Sequence, residues 1–242
     1  MIRQRVRIRF RKEGDLRLIS HRDLVRTFER MFRRAGLQLG MSEGFHPKAR
    51  MSFPSALGLG IAGLAEVMEF ELAEQLPTEQ LRERLAAQTP VGLTLTELQL
   101  VAPGQRKAQI RRATYQMLIP DSRHASLLAS IARLREQPEH WIARESRQEP
   151  LDLKALLDDL DYRDGALCFR LHADRPVGVR PREVLEALGV ADLEDQGHWL
   201  TRTAVELAPY SKLNSSVEAN QAYEEGNADQ CVAAGGMPDC DH

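Results

Sequence analysis

Residues 2–11 alternate without a break: Val6, Ile8 and Phe10 on one side, Arg3, Arg5, Arg7, Arg9 and Arg11 on the other. A period of two fits a strand with one buried face and does not fit a helix. Such a strand needs a second layer over its apolar side. The following segment can supply it. Ser20, with Asp23 three residues on, marks a helix start. Leu24, Val25, Phe28, Met31, Phe32 and Ala35 then recur at helical spacing, and Gly36 ends the run.

The same reading extends along the chain. Leu16 to Ile19 can prolong the first strand, and residues 37–41 form a short second one. A strand follows at 67–72, a helix at 78–87 and a strand at 93–101, while 50–64 favours no element. Ala102-Pro103-Gly104-Gln105 reads as a linker. The order then recurs: strands at 113–119, 141–145 and 166–173, helices at 122–137 and 181–188, and a last strand at 200–207. Two β-α-β-β-α-β units predict an α+β protein of tandem ferredoxin-like domains. The boundaries are 1–102 for a basic N-terminal domain, 107–210 for a second, and 211–242 for an acidic, disordered tail. A length of 242 residues suits such a pair.

The formal net charge of −2 hides an asymmetry: residues 1–50 carry +9 and residues 213–242 carry −6. A basic head predicts a polyanionic partner. No apolar run approaches the length of a membrane span. No secretory signal opens the chain, and three cysteines do not make a disulfide framework. The expected compartment is the cytoplasm.

The helix after Ser20 is the most informative segment. Arg22, Arg26, Arg30, Arg33 and Arg34 fall within about 120° of one another on a helical wheel, opposite the apolar side. They can track phosphates; the competing reading is a solvated charged face. The arginines of the first strand face away from the helices, on the sheet side where RNA-recognition modules bind RNA. Glu69 and Glu71 can instead take that charge in cross-strand pairs. The loop 42–50 joins Gly44, Phe45, His46, Lys48 and Arg50. There Phe45 either stacks a base or plugs the core. His21 and His46 are the histidines of a metal-independent ribonuclease, if they converge. A second basic loop carries Arg175, Arg180 and Arg182 ahead of a helix N-terminus. No P-loop, GxGxxG, nucleophile elbow or HExxH occurs, and no metal site is expected: Cys231, Cys240 and His242 lack a zinc spacing, and Cys168 reads as buried.

The run from Arg9 to Arg30, Arg33-Arg34-Ala35-Gly36-Leu37, and Ser42-Glu43-Gly44-Phe45-His46-Pro47-Lys48-Ala49-Arg50-Met51-Ser52-Phe53 together resemble the opening of the bacterial radical SAM-linked family, a domain of unknown function. The resemblance covers residues 1 to about 205 and is strongest before residue 75. His46 stands where the family's loop usually has asparagine, and the acidic tail looks like an addition. Members resemble the C-terminal region of cobalamin-binding radical SAM proteins or are separate chains encoded beside them. The resemblance therefore implies a partner enzyme holding an iron–sulfur cluster, S-adenosylmethionine and cobalamin. This chain has no CxxxCxxC for such a cluster, and no cofactor of its own is expected. The expected function is a non-catalytic accessory subunit that presents RNA, tRNA or rRNA, to that enzyme. The alternatives are the histidine endoribonuclease and a protein-interaction module without RNA affinity.

Overall fold

The alternating arginine segment forms β1 (Gln4–Lys12), which buries Val6, Ile8 and Phe10 on one face. The computed structural model describes residues 4–144 and 149–209. After β1 the chain does not continue as strand. Gly14 takes a φ of +57°, and Gly14–Leu18 make a 3-10 turn. The Ser20 hydroxyl oxygen accepts the Asp23 N–H at 3.2 Å and caps α1 (His21–Arg34). That helix buries Leu24, Phe28, Met31 and Phe32 against the apolar face of β1.

The expected strand at 37–41 is reduced to two isolated bridges, Leu39 to Leu72 and Met41 to Ala49. The paired segment is instead β2 (Met51–Ser52), inside the stretch that the sequence left open. β3 (Ala62–Leu72) is longer than predicted. It is followed by α2 (Thr78–Ala86) and β4 (Leu93–Val101). The second half runs β5 (Ile110–Leu118), α3 (His124–Glu136), β6 (Trp141–Ile142), β7 (Leu151–Asp152), β8 (Leu157–Arg163), β9 (Ala166–His172), α4 (Pro181–Leu188) and β10 (Thr201–Leu207).

One correction concerns the second half. Among the described residues, the segment predicted as a strand at 141–145 pairs through Trp141–Ile142 with β7, in a separate small ribbon. The strand beside β9 is β8, which the sequence reading missed. Its Leu-Asp-Asp-Leu-Asp-Tyr-Arg composition is poor in β-formers. It is an edge strand, and its Asp158 is held by Arg112 and Arg170 at 3.2 and 2.5 Å. Cys168, expected to be buried, is half-buried on β9.

The large sheet has the order β4-β1-β3-β10-β5-β9-β8, with β2 beside β3. Every pairing is antiparallel except that of β3 with β10. Each half therefore places its fourth strand beside its first, the first beside the third, and the third beside the second. Two main cores form, one built on Phe28, Phe32 and Phe70 and the other on Leu127, Phe169 and Leu185 with Leu57 and Ile61 from the first half, while Val67, Ile110 and Val205 cluster across the seam. The segment between β4 and β5, expected as a linker, meets the helix-free face of the first half, where the Arg5 guanidinium donates to the Gln105 carbonyl.

The halves meet at β3 and β10, and charge is buried there. Arg202 of β10 is 2% exposed, and its Nε donates to Glu66 of β3 at 2.7 Å, with a second hydrogen bond from Nη2. Arg202 also donates to the Ser55 hydroxyl at 3.2 Å. Burial alone would lower the Arg202 pKa, but the hydrogen bonds and charge of Glu66 outweigh it and raise it. Gly63 makes room for this carboxylate, because a Cβ there would lie 2.6 Å from Glu66 Cγ. Lys12 is also fully buried, with Nζ donating to the Ile19 carbonyl at 3.1 Å. Burial pushes the Lys12 pKa below the usual lysine range, Glu66 opposes this and Arg202 adds to it.

Replacing Arg202 with Met is expected to cost about 3–5 kcal/mol, because it strands a buried carboxylate. Arg111→Met, at the exposed pair with Glu206, should cost less than about 1 kcal/mol. Urea unfolding of both variants checks the contrast.

Candidate nucleic-acid interface

The arginine stripe of α1 survives folding as an exposed face. Arg22, Arg26, Arg30, Arg33 and Arg34 are all exposed, opposite the buried Leu24, Phe28, Met31 and Phe32. They are not equally free. Arg26 lies 3.3 Å from Asp23, and Arg34 donates to Gln88 through Nε at 3.1 Å and Nη2 at 2.9 Å. Among the described residues, Arg22, Arg30 and Arg33 have no carboxylate within ion-pair distance. The Ser20 hydroxyl hydrogen bond and then Arg26 hold the Asp23 carboxyl below its usual range, so Asp23 stays charged at the helix start.

The loop between residues 42 and 50 presents an aromatic ring. The backbone closes it: the Ser42 N–H donates to the Lys48 carbonyl at 2.8 Å, and the Lys48 N–H donates to Ser42 Oγ at 2.9 Å. Gly44 at its tip has a φ of +118°, open to few residues other than glycine. Phe45 is fully exposed, which removes the reading in which it plugs the core. His46 and Lys48 are exposed beside it. Arg50 is turned back: its Nε donates to the Met41 carbonyl at 3.0 Å and its Nη1 lies 3.6 Å from Glu71. Phe53, just beyond the loop, packs on Phe28 and edge-on to His21, with ring centroids 5.7 and 5.0 Å apart. That contact ties the returning chain to the first half of α1.

The arginines of β1 behave differently. Register sets Arg7 opposite Glu69, and Arg7 donates to Glu69 Oε1 from Nε at 2.9 Å and Nη2 at 2.7 Å. Arg9 lies 3.4 Å from Glu97. Arg5 donates to the carbonyls of Gln105 and Arg106. The cross-strand reading therefore holds for Glu69, whereas Glu71 pairs with Arg50 rather than with a β1 arginine, and Arg11 is exposed. The helix-free face of the second half is similar: Arg112, Arg170 and His172 gather around Asp158.

The other candidates separate. His21 rests on Phe53 and His46 lies in the exposed loop, and among the described residues no hydrogen bond or ring contact joins them. Burial, and then the charge of Lys12, lower the His21 pKa from its ordinary 6.5. In the second basic loop, Arg175 and Arg180 are exposed, whereas Arg182 donates to Glu194 at 2.6 and 3.0 Å and to the Leu59 carbonyl at 2.8 Å. Arg144, which the sequence did not single out, donates at 2.6 Å to Glu183, whose carboxylate caps α4 by accepting the Arg180 N–H at 2.7 Å. Cys231, Cys240 and His242 of the expected tail lie outside the described residues. Among the described residues no group of three or more His, Cys, Asp or Glu is placed to hold a metal ion, and no helix is long and apolar enough to cross a membrane.

Fold and surface thus define an α+β protein with one large, mostly antiparallel sheet and a basic helix on its covered side. Residues 5–185 match the family described as an uncharacterized protein conserved in bacteria (DUF2344), and the chain belongs to that family. No curated protein matches the sequence. Among solved structures, the acetolactate synthase small subunit from Thermotoga maritima is similar at 12% identity, covering 88% of this chain and 100% of that one with a TM-score of 0.25. An unknown protein from Galdieria sulphuraria is similar at 14% identity, covering 85% and 99% with a TM-score of 0.26. Scores that low carry no functional argument.

The His21 environment makes a prediction with a definite sign. Its folded-state pKa lies below the unfolded value, so protons bind the unfolded chain better. The His21 contribution to stability should be complete above about pH 7 and decline as pH falls through the unfolded value near 6.5. His21→Phe keeps a ring against Phe53 and should flatten the stability profile between pH 7 and 5.5. Urea midpoints of both proteins across that range test this.

Proposed function

We propose that this chain is a cytoplasmic, non-catalytic RNA-binding subunit that presents an RNA substrate to a partner radical SAM enzyme. The observation that carries the RNA reading is the contrast between the two basic faces. Arg5, Arg7 and Arg9 of β1 are engaged by Glu69, Glu97 and backbone carbonyls, whereas Arg22, Arg30 and Arg33 of α1 stand exposed without carboxylate partners among the described residues. Three such guanidiniums along one helix edge suit successive phosphates and release counterions on binding. The exposed ring of Phe45, next to His46 and Lys48, suits an unpaired base that stacks while its phosphate is held.

The partner follows from the resemblance of the N-terminal motifs to the radical SAM-linked family. That enzyme would hold the iron–sulfur cluster, S-adenosylmethionine and cobalamin. In each half, the strand order of fourth, first, third, second supports the tandem ferredoxin-like reading.

Fluorescence anisotropy with total tRNA and ribosomal RNA fragments across a salt series tests the RNA reading. Wild type should bind with micromolar or tighter affinity at about 100 mM salt, with a log–log slope of magnitude roughly 2–4. The Arg22/Arg30/Arg33→Glu triple variant should lower the slope by roughly 2, at about 0.7 to 0.9 per phosphate. Phe45→Ala should weaken binding by about 5- to 150-fold, the value of one stacked base, and leave the slope unchanged. No binding by the wild type at about 100 mM salt overturns the reading and leaves the protein-interaction module. RNA cleavage in EDTA that His46→Ala abolishes would make the chain a ribonuclease instead.

A further inference from the structure

On the helix-free face of the first half, β1 and β3 frame a pocket of about 280 Å³ lined by Arg5, Arg50, Glu69, Glu71 and Lys107. We propose that it binds a small zwitterion of amino-acid size, with its ammonium on Glu69 and Glu71 and its carboxylate toward Lys107 and the arginines. The inference goes beyond the RNA reading and does not rest on it.

Glu69 and Glu71 stand two residues apart on β3, so both side chains leave the same face of the strand. The Glu69 side chain is 2% exposed. Arg7 takes its Oε1 with two N–H groups, while among the described residues its Oε2 is buried without a partner. Register places Arg5 opposite Glu71, yet Arg5 donates to the carbonyls of the crossing segment instead. Arg5 Nε is left buried without a hydrogen-bond partner, and Glu71 Oε2 accepts no hydrogen bond, its one close cation being Arg50, whose Nη1 forms an ion pair with it at 3.6 Å among the described residues. Lys107 is exposed at the mouth. Buried polar groups are normally satisfied, so Glu69 Oε2 and Arg5 Nε, without hydrogen bonds on residues that line a pocket, mark a place for a polar ligand.

The sign of each group selects the ligand. A simple anion would meet the two carboxylates. A simple cation would meet Arg5, Arg50 and Lys107. An ammonium supplies three donors to the two glutamate oxygens, and a carboxylate on the same molecule accepts from a guanidinium and an ammonium. The volume lies just below the usual range for drug-sized ligands and suits one amino acid.

Isothermal titration of the full-length protein with each of the twenty α-amino acids to about 10 mM tests this. Each amino acid that binds is repeated as its decarboxylated amine and as its N-acetyl acid. At least one amino acid should bind with a Kd below about 1 mM. Its amine and N-acetyl forms should bind at least tenfold more weakly, as should Glu71→Gln and Lys107→Ala. Arg111→Ala, at the Glu206 pair on β5, should bind like wild type. Lys107 is exposed, so its variant tests the mouth without disturbing the core. Absence of binding by all twenty overturns the proposal, as does an affinity unchanged in both pocket variants. Equal binding of the amine makes the pocket a cation site and also overturns it.

Discussion

Glu66 and Arg202 meet where β3 and β10 run side by side, and the two halves share one sheet through that contact. The parallel pairing itself is short, with Thr201 opposite Ala62 and Arg202 opposite Gly63. Side chains from both halves thicken the seam. Ser55 reaches Arg202, Arg182 reaches the Leu59 carbonyl, and the Arg17 guanidinium lies 4.5 Å from the centre of the Trp199 ring. A buried pair of opposite charges adds little net stability over a hydrophobic replacement, but breaking it is costly. The pair lies where the one parallel pairing of the sheet joins the two halves. Lys12 places a second cation close by, under the first turns that lead into α1. The seam, the Lys12 site and the entry to the basic helix are therefore one connected polar core.

Much of the first half was legible in the sequence. Strict alternation predicted β1, and helical spacing with Ser20 as cap predicted α1 nearly to the residue. Both signals are local, and both faces they define are realised. The same alternation made the pairing of Arg7 with Glu69 foreseeable. What the sequence hid is what depends on distant partners. Nothing near residue 66 points to residue 202, and a Glu inside an apolar strand reads only as an exposed edge. β8 was hidden because its composition is poor in β-formers and its Asp158 is matched by distant arginines on β5 and β9. Residues 102–105 read as linker because they are Ala, Pro, Gly and Gln, yet Arg5 donates to the Gln105 carbonyl there.

The candidate interface was legible in part. The arginine sector on α1 was visible as a wheel, but the uneven freedom of its members was not. Gln88 lies beyond α2 and takes Arg34, and only folding brings it there. Phe45 had two readings of equal chemical sense, and the loop geometry separates them: a closed base from Ser42 to Lys48 leaves the ring at the tip in solvent. A large apolar ring held outward by a short hydrogen-bonded loop is an unusual expense for a protein with core space elsewhere.

The central claim is that RNA lies along α1 and the loop of Phe45, on the helix-covered side of the sheet. Ultraviolet crosslinking of the full-length protein to bound RNA, with crosslinked peptides read by mass spectrometry, tests it most directly. Crosslinks should concentrate at Phe45 and its neighbours and along the exposed edge of α1. Crosslinks confined to the β1 arginine face or to the second half, with the loop and helix bare, would contradict the account.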